Sequence, residues 1–384
     1  MKISVVILNY NVRWFLQQCV DSVVKALHGL DGEIIVVDNA SPDDSVSMVK
    51  TVFPQVRLIE NADNAGFPKG NNKGVEAASG EWLCILNPDT VVPENLFRNL
   101  LEFVSAKTAI GAVGTRLVDG TGHFLPESKR MLPTPMVSLG RMTGLYKWFP
   151  ETFGHYYAPH VSPTSIGRVD VLVGAFLFLR TEDYRALGGF DERFFMYGED
   201  IDLSYRLQLT GKANYFFGHA TVLHYKGEST LKDIRYARRF ADAMTLFHQK
   251  HFRVPAPVAA LYSLGIRLFA RYKFRKAAHH PVQIPQGYLI VTDKKEVSER
   301  IRLKTQKNAT QVAFEDVKSV ISQTFSLATP LEVWLDVDYI GYERSIGFLE
   351  AWKDKGLTFK FLHPTEGYAI GSDSSEGRGT VLHF

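Results

Sequence analysis

Three short stretches place acids or an imidazole where a regular element begins or ends. In Trp82-Leu83-Cys84-Ile85-Leu86-Asn87-Pro88-Asp89-Thr90 an apolar run is cut by an Asn-Pro turn signal, so Asp89 leaves a buried strand at its carboxyl end. In open α/β sheets that edge is where ligands bind. A carboxylate there is either a turn residue or a ligand for a hard cation carrying a diphosphate. The second stretch, Tyr197-Gly198-Glu199-Asp200-Ile201-Asp202-Leu203, opens a helix predicted to run to Gly211. The helix dipole favours any one acid in a first turn. Several held together raise one another's proton affinity, and a carboxylate so poised can accept a proton near neutral pH. The third, Val222-Leu223-His224-Tyr225-Lys226-Gly227-Glu228-Ser229, is a strand end carrying an imidazole, structural or metal-ligating.

Positioning these groups takes a parallel sheet. Ile3 to Leu8 and Glu33 to Val37 are continuous apolar runs of the kind buried on both faces, and between them Val12, Phe15, Leu16, Cys19, Val20, Val23, Val24 and Leu27 recur at helical spacing. This βαβ unit delivers Asn9-Tyr10-Asn11 and Asp38-Asn39-Ala40-Ser41 to the edge that carries Asp89. A weaker strand spans Val56 to Ile59. Asn64 to Gly74 reads as a glycine- and asparagine-rich loop, either a surface turn or a backbone that approaches a ligand at Gly66, Gly70 and Gly74, followed by a short helix through Ala78. Pro93 to Ser105 is a predicted helix and Gly111 to Val118 a strand. Residues 126–168, proline-rich with interleaved aromatics, read as a substrate-facing loop or lid. Val169 to Leu179 is a strand broken at Gly174-Ala175, where glycine admits a close approach.

The apolar fraction of 45% and mean hydropathy of −0.08 are those of a globular protein. A net charge of +3 gives no reason to expect a nucleic-acid partner. Cys19 and Cys84 read as reduced core thiols, in keeping with a cytoplasmic protein, and Met1 to Leu8 as a first strand rather than a signal segment. The expected organisation is a main domain over 1–250, a basic amphipathic helical linker over 251–280 and a small α/β domain over 281–384. The linker is either a helix packed on the main domain or one suited to an anionic membrane surface, a candidate partner. In the last domain, strands are expected at Tyr288 to Val291, Leu331 to Leu335, Leu357 to Leu362 and Thr380 to His383, with no catalytic constellation.

In order and spacing the motifs Asn9-Tyr10-Asn11, Val37-Asp38-Asn39-Ala40-Ser41, Asn64-Ala65-Gly66-Phe67 with Gly70-Asn71-Asn72, Asn87-Pro88-Asp89-Thr90, Gly198-Glu199-Asp200-Ile201-Asp202-Leu203 and His224 with Gly227 and Ser229 resemble the inverting family 2 glycosyltransferases, in their rhamnosyltransferase-like branch. The resemblance covers about residues 1–250. It implies a GT-A fold, a Rossmann-like mixed α/β sheet, and transfer of a sugar from a nucleotide-sugar donor to a hydroxyl of a saccharide or lipid-linked acceptor in cell-envelope polysaccharide synthesis. By the same resemblance Asn9, Tyr10, Asn11, Asp38, Asn39, Asn64, Gly66, Gly70, Asn71 and Asn87 would surround the donor. Asp89 and His224 would hold Mg²⁺ or Mn²⁺, Asp200 would be the general base beside Glu199, and Glu199, Asp202 and Gly174 would meet the acceptor. Asn87 departs from the family's commoner DXD acid and leaves one carboxylate fewer near the metal. The resemblance favours dTDP-rhamnose, with UDP- and GDP-sugars open. A non-catalytic nucleotide-sugar-binding or scaffold protein is the alternative. A sugar-nucleotide pyrophosphorylase would need a glycine-rich signature after the first strand, which Leu8-Asn9-Tyr10-Asn11 lacks.

Overall fold

The apolar runs assemble into one nine-stranded sheet. The computed structural model describes residues 2–149, 151, 154–226, 234–252, 264–265, 284–324, 330–374 and 378–384. Gly227, Ser229 and nearly all of the 251–280 segment lie outside them. The strands of the main sheet are β1 (Ile3–Asn9), β2 (Gly32–Asp38), β3 (Arg57–Glu60), β4 (Trp82–Leu86), β5 (Thr90–Val91) and β6 (Ile110–Val118), then β8 (Ile166–Val169), β10 (Phe176–Arg180) and β11 (Ala213–His224). The short strands β7 (Lys129–Arg130) and β9 (Val171–Leu172) form a separate ribbon. The order is β3-β2-β1-β4-β10-β6-β11-β5, with β8 beside β11. Only β5, β8 and β10 run against the others. The carboxyl ends of β1, β2, β4, β6 and β11 therefore share one edge, which carries Asn9, Asp38, Asn87 and His224. This is a mixed, Rossmann-like α/β sheet.

The apolar runs are unbroken because both faces are covered. Ile3, Val5, Ile7 and Val36 pack on one face with Leu16, Cys19, Val20 and Val23 of the helix Arg13–Ala26, while Val6, Leu8, Ile35 and Val37 pack on the other with Val75. Both cysteines are free and buried, and burial pushes the Cys19 thiol up to about 12. Among the described residues no helix is long and apolar enough to cross a membrane.

One expected loop is a helix. Phe67–Glu76 is helical from just past Gly66, whose φ of 85° makes the turn, with Pro68 in the first turn. A Cβ on Gly70 would stand 2.4 Å from Leu8, and one on Gly74 2.5 Å from Val6. These two glycines let the helix lie flat on the sheet. The helix expected from Pro93 begins at Leu96.

Residues 284–384 build a second sheet from β12 (Gly287–Val291), β13 (Asn308–Val312), β14 (Leu331–Asp336), β15 (Leu357–His363), β16 (Tyr368–Gly371) and β17 (Thr380–His383), in the order β13-β12-β14-β15-β16-β17. The first four are parallel and the last two antiparallel to their neighbours. One apolar cluster joins Phe15, Val91, Val118, Leu223 and Tyr225 to Leu289, Val291, Leu335 and Phe361, so the two sheets share a core beside the carboxyl edge.

Candidate active site

At the end of β4 the chain turns through Asn87-Pro88-Asp89 and returns as β5, which pairs antiparallel with the end of β11 so that His224 lies opposite Thr90. The turn is held by bonds from Thr90 Oγ1 to the Asn87 carbonyl (2.7 Å) and from the Tyr225 amide to the Asp89 carbonyl (3.0 Å). Three polar side chains then converge. His224 Nε2 lies 3.4 Å from Asp89 Oδ1 and 3.4 Å from Asn87 Nδ2. Asp89 Oδ1 and Asn87 Oδ1 are both buried without a hydrogen-bond partner. Buried oxygens left unpaired lose their hydration with no return, unless a cation or ligand proton meets them. Two oxygens and an imidazole nitrogen fit a hard or borderline divalent ion. Among the described residues no three His, Cys, Asp or Glu side chains gather into a complete cage.

The acidic helix start lies one peptide away. The Asn87 amide bonds to the Ala175 carbonyl (3.0 Å), and the Gly174 amide donates to Asp200 Oδ2 (3.2 Å). Asp200 Oδ2 also takes 2.6 Å from Arg130 Nη2, while its Oδ1 accepts the Ile201 amide at 2.8 Å. Arg130 is buried and additionally caps the Leu172 carbonyl, and though burial opposes its charge, Asp200 and Tyr156 keep the guanidinium firmly protonated. Glu199 is buried with Oε2 unpartnered, and burial together with the charge of Asp200 pushes its carboxyl up to about 8. Between β9 and β10, Gly174 lies against Asp200 and Phe67 at ordinary contact distance.

At the ends of β1 and β2, Asn9 and Asp38 are register partners. Asn9 Nδ2 donates to Asp38 Oδ2 (2.8 Å) and to Ser41 Oγ (3.1 Å), and Ser41 returns its amide and hydroxyl to Asp38 at 2.8 and 2.7 Å. Asn39 bonds Asn64, the Gly66 carbonyl and Asn61, tying the second strand to the turn before the Phe67–Glu76 helix. Tyr10 is exposed, and Asn11, at a φ of 57°, gives its amide to Ser41. Asn71 is buried with its Nδ2 on the Phe67 carbonyl and its Oδ1 unpartnered.

Asp202 does not join this group. It is fully buried, and its carboxylate is held by Arg206 (2.7 Å), Lys250 (2.6 Å) and His251 (2.7 Å). Burial would raise it, but His251, Lys250 and Arg206 keep the group below the ordinary range. It ties its helix to Ile234–His251, so the expected acceptor contact at Asp202 is corrected to a brace. Missed in the sequence were Arg130 and Asn61, while Ser41 and Asn72 stood in the motifs without an assigned role; Asn72 clamps Tyr184 and the Phe190 carbonyl. Arg130 lay inside the aromatic insert with no periodic signal, though a buried guanidinium always calls for a carboxylate.

The chain matches the description Glycosyl transferase family 2 over residues 4–157 and Glycosyl transferase family group 2 over residues 82–262. It is 26% identical over 272 residues to the N-acetylglucosaminyl-diphospho-decaprenol L-rhamnosyltransferase of Mycobacterium tuberculosis, covering 66% of this chain and 88% of that protein. It is 27% identical over 242 residues to the O-antigen biosynthesis protein RfbC of Myxococcus xanthus, 60% of this chain and 18% of that protein. A mannosyltransferase of Pyrobaculum calidifontis solved with GDP-Man and Mn²⁺ is similar with a TM-score of 0.47 and 17% identity, over 73% of this chain and 76% of that one. Over residues 4–262 the chain is similar to family 2 glycosyltransferases, and a mycobacterial rhamnosyltransferase is among its relatives.

Proposed function

We propose that this transferase moves a sugar, with inversion, from a nucleoside diphosphate donor to a hydroxyl of a saccharide or lipid-linked acceptor during assembly of a cell-envelope polysaccharide. The observation that carries the reading is the pair of buried, unpartnered oxygens on Asn87 and Asp89 beside His224 Nε2, one peptide away from Asp200. Asp89 and His224, with Asn87, would hold a divalent cation. When bound, Mg²⁺ or Mn²⁺ supplies Lewis-acid neutralisation of the leaving diphosphate. Asp38, Asn9 and Asn39 offer a prearranged set of acceptors and donors for base and ribose. Asp200, fixed by Arg130 and Gly174, takes the proton from the acceptor hydroxyl as it attacks the anomeric carbon. The alternative that one observation favours is Glu199 in that role, since its Oε2 is unpartnered and its proton affinity is near neutral.

The acceptor side is framed by an excursion that leaves the β7 ribbon at Arg130 and returns at Tyr156, whose carbonyl takes the Met131 amide at 2.8 Å. Along it Trp148, Phe149 and Met136 are exposed. Exposed aromatics beside Lys147 suit a lipid-linked acceptor at a membrane surface, in keeping with the decaprenol-linked acceptor in the mycobacterial relative's name. The test is turnover with dTDP-, UDP- and GDP-sugars against saccharide and polyprenyl-linked acceptors. Transfer that needs a divalent cation and disappears in Asp89→Ala supports the proposal. Nucleotide-sugar binding without turnover across the panel selects the non-catalytic alternative.

A further inference from the structure

The family matches end by residue 262, yet the sheet beyond grips both chain segments that present Asp89 and His224. On the β11 side, Tyr225 is buried, its ring edge-on to Phe15 (centroids 5.0 Å apart) and to Phe361 of β15 (6.5 Å). Its hydroxyl donates to Gln18 Oε1 at 2.9 Å. On the β5 side, Glu94 accepts the amides of Tyr342 (2.6 Å) and Glu343 (2.8 Å), and Asn95 Nδ2 reaches Glu343 Oε1 at 2.7 Å.

Those amides are available because the helix Val337–Trp352 breaks at Gly341, where φ is 79° and ψ 167°. Tyr342 and Glu343 thus open a new helical segment whose first N–H groups have no partner of their own. Glu94 caps it from the other sheet, with a charge the helix start favours. Glycine is required there on two counts: the positive φ, and a Cβ that would stand 2.9 Å from Glu94 Oε1. The two-residue strand β5 pairs only with β11, and so short a pair does not hold its geometry unaided.

We infer that the 284–384 unit sets the geometry of the Asp89–His224 pair, through Tyr225 and Glu94 as positioning residues. The inference rests on the reading of Asp89 and His224 as cation ligands given above. About a quarter of the chain would then act on the reaction by holding two ligands from behind rather than by touching substrate.

The test is Mn²⁺ binding to the full-length chain, followed by electron paramagnetic resonance of free Mn²⁺, alone and with dTDP, UDP or GDP. Phe361→Ala should weaken Mn²⁺ about tenfold, as loss of an outer partner of a metal ligand does. Ile301→Ala serves as control, because Ile301 packs among Tyr288, Ile290 and Trp334 in a cluster that does not include Tyr225. It should lower the melting temperature comparably and leave Mn²⁺ affinity unchanged. His224→Ala tests the underlying reading. If it weakens Mn²⁺ while Phe361→Ala behaves like Ile301→Ala, the positioning role is overturned and the metal reading stands. If His224→Ala binds as wild type does, the metal reading fails and the inference goes with it. Should Phe361→Ala not fold, Phe361→Leu and Glu94→Gln carry the same comparison, with an expected loss of about threefold; no loss in either overturns the inference.

Discussion

Glu199→Gln gives the sharpest check on the electrostatics of the acidic helix start. Glu199 is buried, its ordinary value of 4.5 is pushed up to about 8, and its Oε2 has no partner. Unfolded, the group loses its proton near its ordinary value; folded, it keeps it to about 8. Between those values the native state binds the extra proton, so this group's contribution to stability is full at low pH and falls as pH rises. The slope is about 1.4 kcal/mol per pH unit, which over the two units from pH 5 to 7 comes to ~3 kcal/mol, as an order of magnitude. Glutamine keeps the shape of the protonated acid and does not titrate. Relative to wild type, the variant should gain roughly 3 kcal/mol between pH 5 and 7, with little further change above pH 8. Urea midpoints for both proteins at pH 5, 6, 7 and 8, at constant ionic strength, measure the difference directly. A flat or falling difference would refute the raised proton affinity, and with it the case for Glu199 as an alternative base. Turnover of the same variant adds a second reading: Asp200 as base predicts that it keeps most of its activity, whereas Glu199 as base predicts that it loses it.

Asp200→Asn should lower turnover by about 10²- to 10⁴-fold while leaving the thermal shift with nucleoside diphosphate in place; wild-type turnover would retire the base assignment. Arg130→Gln leaves the buried Asp200 carboxylate without its guanidinium and should cost about 3–5 kcal/mol in urea unfolding at pH 7, a wild-type midpoint contradicting the ion pair's weight. Gly341→Ala should cost about 1–3 kcal/mol, and combining it with Glu94→Ala should cost less than the sum of the two, since both break one contact; strict additivity would mean the contact carries no energy.

The main sheet was legible because two covered faces demand unbroken apolar runs, and the residues that end those runs fall at one edge by geometry alone. Hence Asn9, Asp38, Asn87, Asp89 and His224 were legible together. The helix Phe67–Glu76 was not. A glycine that lets a helix press on Leu8 or Val6 has the same signature as one that lets backbone approach a phosphate. Asp200 and Asp202 were equally inseparable, because the groups that claim Asp202, Lys250 and His251, arrive from a helix far along the chain. The strand β13, Asn-Ala-Thr-Gln-Val, is half exposed at an edge and lacks the apolar alternation that marks a strand. The grip of the second sheet on Tyr225 and Glu94 depends on contacts between distant segments, which no local pattern announces.

Crystals soaked with Mn²⁺ and each of dTDP, UDP and GDP, measured at the manganese absorption edge, test the central claim most directly. The account predicts one anomalous peak bonded to Asp89 and His224, with diphosphate oxygens completing the sphere and the nucleoside lying toward Asp38 and Asn9. Nucleotide bound there with the ion elsewhere, or an ion held by neither Asp89 nor His224, would contradict it.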